Sequence, residues 1–407
     1  MRHFKAVLLT SYFILLTFTW LSVGALSHAQ SGTTAVSSPF VSDAGYTFGQ
    51  SMTFVLDADG VEPAAVAELV LFFRSEAAVN TFTVELPLTA ASQWPVSHQV
   101  DLTTLRLPPF ADVAYWWRVT LTDGTVVEVP AATIAYSDDQ FEWQTLTQHG
   151  VTAYWVGADL AMGQLALDIV AESLPRVRQL LPVPEAVAFD LYLYPTSADL
   201  RAALRLTGRD WVGAHAHPEL GVLLVTAVNI RTAPADLRQS IPHEMAHLFL
   251  YQATGPNYDQ IPQWFNEGLA TYMESSPTPS YELVLTQAVN GRSTIPLTEL
   301  CHAFPDREER ALLAYAQSVS VIRYIQARYG NQGVLGLIGA FADGADCHSG
   351  VERALGLTLD ELNRDWLRSL EPRSPLTQFW QESGLWLLLL LGGFMLSGLL
   401  LWLPRRV

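Results

Sequence analysis

The segment Ile241-Pro242-His243-Glu244-Met245-Ala246-His247-Leu248-Phe249-Leu250 carries two histidines four residues apart, with a glutamate directly after the first. On a helix, four residues make about 1.1 turns, so His243 and His247 project from one face and reach a single ion. Neutral imidazoles at about 2.0–2.1 Å suit Zn2+. Glu244 then lies beside the first ligand, placed to take a proton from water at that ion. The apolar flank Leu248-Phe249-Leu250 fits a helix packed in a core. Two surface histidines on an exposed helix are the alternative for the motif taken alone. Pro242 adds a condition. A helix starting at Ser240 or Ile241 tolerates it in the first turn, whereas one starting near Asp236 is expected to kink just before the ligands.

Working outward, Trp264-Phe265-Asn266-Glu267-Gly268-Leu269-Ala270-Thr271 places a carboxylate, Glu267, twenty positions after His247. Gly255, Pro256 and Pro262 interrupt the chain between the two helices. Two histidines and one carboxylate leave a fourth position open, the pattern of a catalytic zinc. H-E-x-x-H followed by Trp264-Phe265-Asn266-Glu267-Gly268-Leu269-Ala270 resembles the gluzincin zinc metallopeptidases, and most closely the peptidase-MA-like families, over roughly residues 138–370. The spacing is similar to that of thermolysin and one residue longer than in the M1 aminopeptidases, although the Trp-Phe-Asn-Glu-Gly run itself looks like M1.

That resemblance implies a zinc cofactor held by His243, His247 and Glu267, with Glu244 as the catalytic base and a peptide or protein as substrate. It also implies that Thr271, one turn after Glu267, supports a ligand histidine, an ordinary helix threonine being the alternative. Tyr315, in Ala314-Tyr315-Ala316-Gln317-Ser318, resembles the tyrosine that steadies the oxyanion in M1-like enzymes; a tyrosine packed in the core is the other reading. Residues 211–223 read as a loop entering an edge strand that pairs with substrate backbone. His215 and His217 lie on it without a closed ligand set. The M1 amine-binding motif G-x-M-E-N is absent, which leaves endopeptidase and other amide-hydrolase activities open. A non-catalytic cell-surface binding or structural protein that keeps a gluzincin fold is the competing account; the intact Glu244 separates the two.

Elsewhere the chain sets the frame. It has 407 residues, 23 Lys+Arg against 40 Asp+Glu and a formal net charge of -17. Nucleic acid is thereby disfavoured as a partner, because its phosphates need a basic face. Two cysteines, Cys301 and Cys347, exclude a four-thiolate zinc site; a bridge between them would close a loop of about 45 residues. Residues 1–29 run from a basic head through an apolar stretch to Ser27-His28-Ala29 and read as a signal peptide, with an uncleaved anchor as the competing reading. Leu385 to Leu403 is apolar and without charge, flanked by tryptophans and followed by Arg405-Arg406 in the tail 404–407, and reads as a single C-terminal transmembrane helix. Together the ends predict a single-pass cell-membrane protein with its catalytic part outside and its C-terminus in the cytoplasm.

Residues 30–45 read as a linker and 46–137 as an all-β sandwich. Short β-rich runs such as Ser51–Leu56, Glu68–Phe73 and Thr81–Leu86 alternate with turns, and Asp123-Gly124 marks a hairpin. The run Tyr115-Trp116-Trp117-Arg118-Val119 resembles a fibronectin-III or immunoglobulin-like module. From 138 to 371, strands come first and helices after, which predicts an α+β metallopeptidase domain. Gly330-Asn331-Gln332-Gly333 reads as a helix stop.

Overall fold

The structure is a computed structural model. It describes residues 38–371 apart from 77, 79, 90, 206–212, 276 and 277, together with 386–390, 392 and 393. The first seven strands alternate inward and outward side chains and close two antiparallel sheets on each other. β1 (Phe40–Thr47), β2 (Ser51–Ala58) and β5 (Val96–Asp101) form one, in the order β1-β2-β5. β3 (Val66–Ser75), β4 (Phe82–Glu85), β6 (Ala111–Leu121) and β7 (Val126–Tyr136) form the other, in the order β4-β3-β6-β7. The period of two sends Met52, Phe54 and Leu56 inward from β2 and Val113, Tyr115, Trp117 and Val119 inward from β6. Phe54 joins the layers, its ring centroid 5.0 Å from that of Phe73 and 5.2 Å from that of Tyr115. Asp123-Gly124 turns β6 into β7, with Gly124 at φ 87°, where a side chain is disfavoured. The first strand begins at Phe40, inside the stretch read as linker.

A third sheet is built from β8 (Trp143–Gln148), β9 (Val151–Val156), β10 (Phe189–Tyr194), β11 (Ala214–His217) and β12 (Val222–Thr226), in the order β11-β12-β10-β9-β8. Here the α+β expectation is corrected. β9, β10 and β12 run parallel, with β8 and β11 antiparallel at the two edges. A parallel pair needs a crossover of a dozen residues or more, and the 21-residue helix α1 (Leu160–Leu180) supplies it between β9 and β10. Helix α2 (Ser197–Leu204) follows β10.

This sheet is a wall shared by two cores. Leu191, Leu193, Leu223 and Val225 face the helices, together with Ala153 and Trp155 of β9. Their neighbours Tyr192, Tyr194, Val222 and Leu224 face the β-sandwich and join its core. Phe110 stacks on Tyr192, and the Tyr194 hydroxyl donates to the buried Asp138 carboxylate at 3.0 Å. The Arg205 guanidinium donates to the carbonyls of Leu102 and Thr103, clamping a sandwich loop onto the second region.

Among the described residues up to 371, six further α-helices follow: α3 (Ala233–Thr254), α4 (Gln263–Met273), α5 (Pro279–Asn290), α6 (Glu308–Ala342), α7 (Cys347–Leu355) and α8 (Leu359–Leu370). α6 is interrupted at Gly330, whose φ of 67° and ψ of -170° break the helical path at the run read as a stop. α7 and α8 each begin with a capping box, Asp346 with Ser349 and Thr358 with Glu361. Cys301 and Cys347 are joined in a disulfide that ties the approach to α6 to the start of α7.

The transmembrane expectation is corrected as well. Among the described residues, no helix is long and apolar enough to cross a membrane. Helical residues Trp386–Leu390 are described, but most of the apolar stretch 385–403, the tail 404–407 and the signal-like segment 1–29 lie outside the described residues. The single-pass membrane placement inferred from those ends is therefore withdrawn.

Candidate metal centre and cleft

α3 begins at Ala233, well before the histidines, so Pro242 sits inside it. A proline there cannot donate to the carbonyl four residues back, which belongs to Arg238. That carbonyl is taken instead by the backbone N–H of Ser275 at 3.0 Å. The vacancy left by the proline thus anchors the chain just past α4, next to Glu274.

His243 and His247 project from one face of α3, their ring centroids 5.0 Å apart. Glu267, on α4, brings its Oε2 to 3.4 Å from His243 Nε2 and 3.8 Å from His247 Nε2. Two donors each bound to a tetrahedral zinc at about 2.0–2.1 Å lie about 3.3 Å apart, so these spacings are those of ligands around one ion. Each side chain is oriented from behind. The Nδ1–H of His247 donates to Asn266 Oδ1 at 2.8 Å, and Asn266 Nδ2 donates to the Tyr258 hydroxyl at 3.3 Å. His243 Nδ1 pairs with Glu274 Oε1 at 3.1 Å. Both histidines therefore turn Nε2 to the same point. Gln263 Nε2 donates to Glu267 Oε1 at 2.9 Å, one turn back on α4. The other oxygen, Oε2, is buried without a hydrogen-bond partner. An orphaned buried carboxylate oxygen facing two imidazole Nε2 atoms fits a divalent cation. His243, His247 and Glu267 are the group of three such donors that converges among the described residues.

The electrostatics agree. Burial opposes a charged imidazole at His243, but the Glu267 and Glu274 carboxylates outweigh it and hold His243 well above its ordinary range. Burial would raise Glu267, and His247 with His243 more than compensate, holding it low. Burial keeps His247 below its ordinary value. A proton shared in this way is what a bound cation displaces. Glu244 is 5% exposed, and burial, reinforced by Glu267 and Glu274 against the opposing His243, pushes its carboxyl up to about 7. Tyr315, half-buried on α6, lines the cleft beside Glu244; burial and the nearby Glu267 carboxylate push its phenol well above the usual range.

Thr271 takes no part in this arrangement. Its hydroxyl is buried without a hydrogen-bond partner, and Asn266 and Glu274 occupy the histidine nitrogens it was expected to support. Asn266 stands immediately before the expected ligand, but its reach to His247 depends on the angle between α3 and α4. Glu274 lies past the end of α4, and the Arg238–Ser275 bond that places it has no sequence signature. His215 and His217 line the cleft on the edge strand β11 with rings 4.8 Å apart, and His217 pairs with Glu219 at 3.3 Å. Pro108 and Pro109, from the sandwich, line the same cleft.

Residues 170–372 match the Peptidase MA superfamily. The matched stretch contains the three converging donors, Glu244 and Tyr315. No curated protein matches the chain. Among solved structures, an M1 zinc metallopeptidase from Deinococcus radiodurans is 14% identical with a TM-score of 0.36, covering 82% of this chain and 92% of that one. A two-domain M1 zinc metallopeptidase mutant bound to L-arginine is 12% identical with a TM-score of 0.35, covering 81% and 90%.

Proposed function

We propose that the chain hydrolyses peptide bonds as a zinc-dependent peptidase, with His243, His247 and Glu267 holding the ion and Glu244 acting as general base. The observation that carries this is Glu267 Oε2, bare and buried between two Nε2 atoms whose rings are fixed from behind. When bound, zinc supplies Lewis acidity toward a substrate carbonyl and acidifies water.

The protein's own groups do the rest. Glu244, buried beside the three donors and lining the cleft, is placed to accept a proton and return it. It takes the proton of the attacking water at a carboxylate oxygen and delivers it to the leaving amine. Tyr315, kept protonated, faces the same space and donates its O–H to the carbonyl oxygen as negative charge develops there. The edge strand β11 offers backbone groups along which an extended peptide can lie. The cleft encloses about 620 Å³, ample for several residues of such a peptide.

The test is hydrolysis of a quenched-fluorescent peptide library by the zinc-loaded protein. Glu244→Gln should keep its zinc and lose turnover by about a hundredfold or more, the scale of a general-base contribution. Equal turnover by the two proteins would discard Glu244 as the base.

A further inference from the structure

The metal-ligand cluster stands between two cavities that meet at Ala214, His243, Glu244 and Tyr315. They differ in charge. The first carries Arg106 and Arg205 on its lining. The second, about 560 Å³, is lined by no lysine or arginine among the described residues, and Asp236, Glu274, Glu308 and Glu309 surround it. Asp236, Glu308 and Glu309 are exposed on α3 and α6, and among the described residues none of them forms an ion pair. All three occupy first turns of helices, where the dipole alone favours acids.

The dipole does not account for Glu274. Its side chain is 4% exposed, and Oε1 is engaged by His243. Oε2 is buried, has no hydrogen-bond partner, and belongs to a residue that lines the second cavity. With Oε1 paired to His243, Oε2 still lacks a donor, and a cationic donor arriving from the cavity would complete the carboxylate's pairing. Ala311, Leu312 and Tyr281 line the same space. They suit the alkyl stem of a long side chain whose charged head reaches the acids.

We propose that this second cavity is a specificity subsite for a lysine or arginine side chain of the substrate. The assignment rests on the peptidase reading for its carrier, a peptide, and predicts cleavage close to a basic residue.

The test measures binding and cleavage separately. Zinc-loaded Glu244→Gln is titrated with fluorescein-labelled, N-acetylated peptides carrying lysine, norleucine or glutamate in turn at each position. At one position lysine should bind at least about tenfold more tightly than norleucine and glutamate more weakly, and the lysine advantage should shrink in about 0.5 M salt. Adding Asp236→Asn, Glu308→Gln and Glu309→Gln should bring the lysine-to-norleucine ratio toward one, and Glu308→Lys with Glu309→Lys should favour glutamate. Circular dichroism checks that the variants fold. Equal affinities for lysine and norleucine at every position, or no binding, overturn the subsite. A gain from a free α-amine without any lysine effect also overturns it. Wild-type hydrolysis of the same unlabelled peptides reports on the peptidase reading alone. Cleavage without a lysine preference sinks the subsite and spares that reading, whereas lysine-selective binding without cleavage does the reverse.

Discussion

Asn266 shows how much depends on a single atom behind a ligand. Its Oδ1 fixes the His247 tautomer, so Asn266→Ala should weaken zinc binding by about 10–100-fold, measured by chelator competition. Thr271→Val should change it little, because the hydroxyl it removes is buried and unpaired. Glu244 gives a pH signature in the metal-free protein. Its folded pKa of about 7 lies above the ordinary 4.5, so the stability associated with its neutral form is fully present below about 4.5 and is lost as pH rises through about 7. The loss is on the order of 3 kcal/mol at most. Urea unfolding of chelated wild type and Glu244→Gln at pH 5 and pH 8 should show the variant gaining on wild type at the higher pH; parallel curves would remove the burial argument. At this scale the sequence was informative wherever spacing along one helix decides geometry, as for His243 and His247. It was silent about Glu274, whose approach depends on a hydrogen bond between separate segments.

Between elements, the position of Glu267 is set by how closely α4 lies on α6. Gly268 makes that approach possible: a Cβ there would lie 2.7 Å from the Ser318 carbonyl oxygen and 3.0 Å from Ile322. Because the nearest obstacle is backbone, Gly268→Ala must push the helices apart. It should destabilise by about 1–3 kcal/mol and lower zinc affinity by displacing Glu267, read by thermal unfolding and zinc titration of one preparation. An unchanged affinity would mean that Glu267 is not positioned by this contact. The disulfide closes the loop that contains α6 and contributes about 4 kcal/mol on the loop-entropy model. The glycine could be read beforehand only as part of a motif. Its steric purpose became visible once Ser318, fifty residues later, was seen against it. The helix break at Gly330 was legible because a glycine-flanked polar run carries its own local signal. The parallel order of β9, β10 and β12 was not, since hydrophobic strands read alike in either direction.

For the molecule as a whole, the sandwich and the helix-rich region share a wall, and the sandwich contributes Arg106, Pro108 and Pro109 to the cleft. A fragment spanning 138–371 would bare Tyr192, Tyr194, Val222 and Leu224 to water. Losing the burial of Leu224 and Val222 alone costs roughly 1.5–3 kcal/mol each. The fragment should therefore unfold at markedly lower urea than a protein starting at Phe40, or aggregate; equal midpoints would show the interface to be dispensable. The sequence divided the chain near residue 138 because strand patterning gives way there to longer helices. It gave no sign that alternate residues of β10 and β12 serve two cores, because both kinds are apolar.

The claim beneath all of this is that His243, His247 and Glu267 bind one ion together. Zinc K-edge X-ray absorption on the protein reconstituted with one equivalent of zinc tests it most directly. The account predicts two imidazoles and carboxylate or water oxygens at about 2.0–2.1 Å, no sulfur, and loss of high-affinity binding in Glu267→Ala. A spectrum without imidazole scattering, or full affinity in Glu267→Ala, would contradict it.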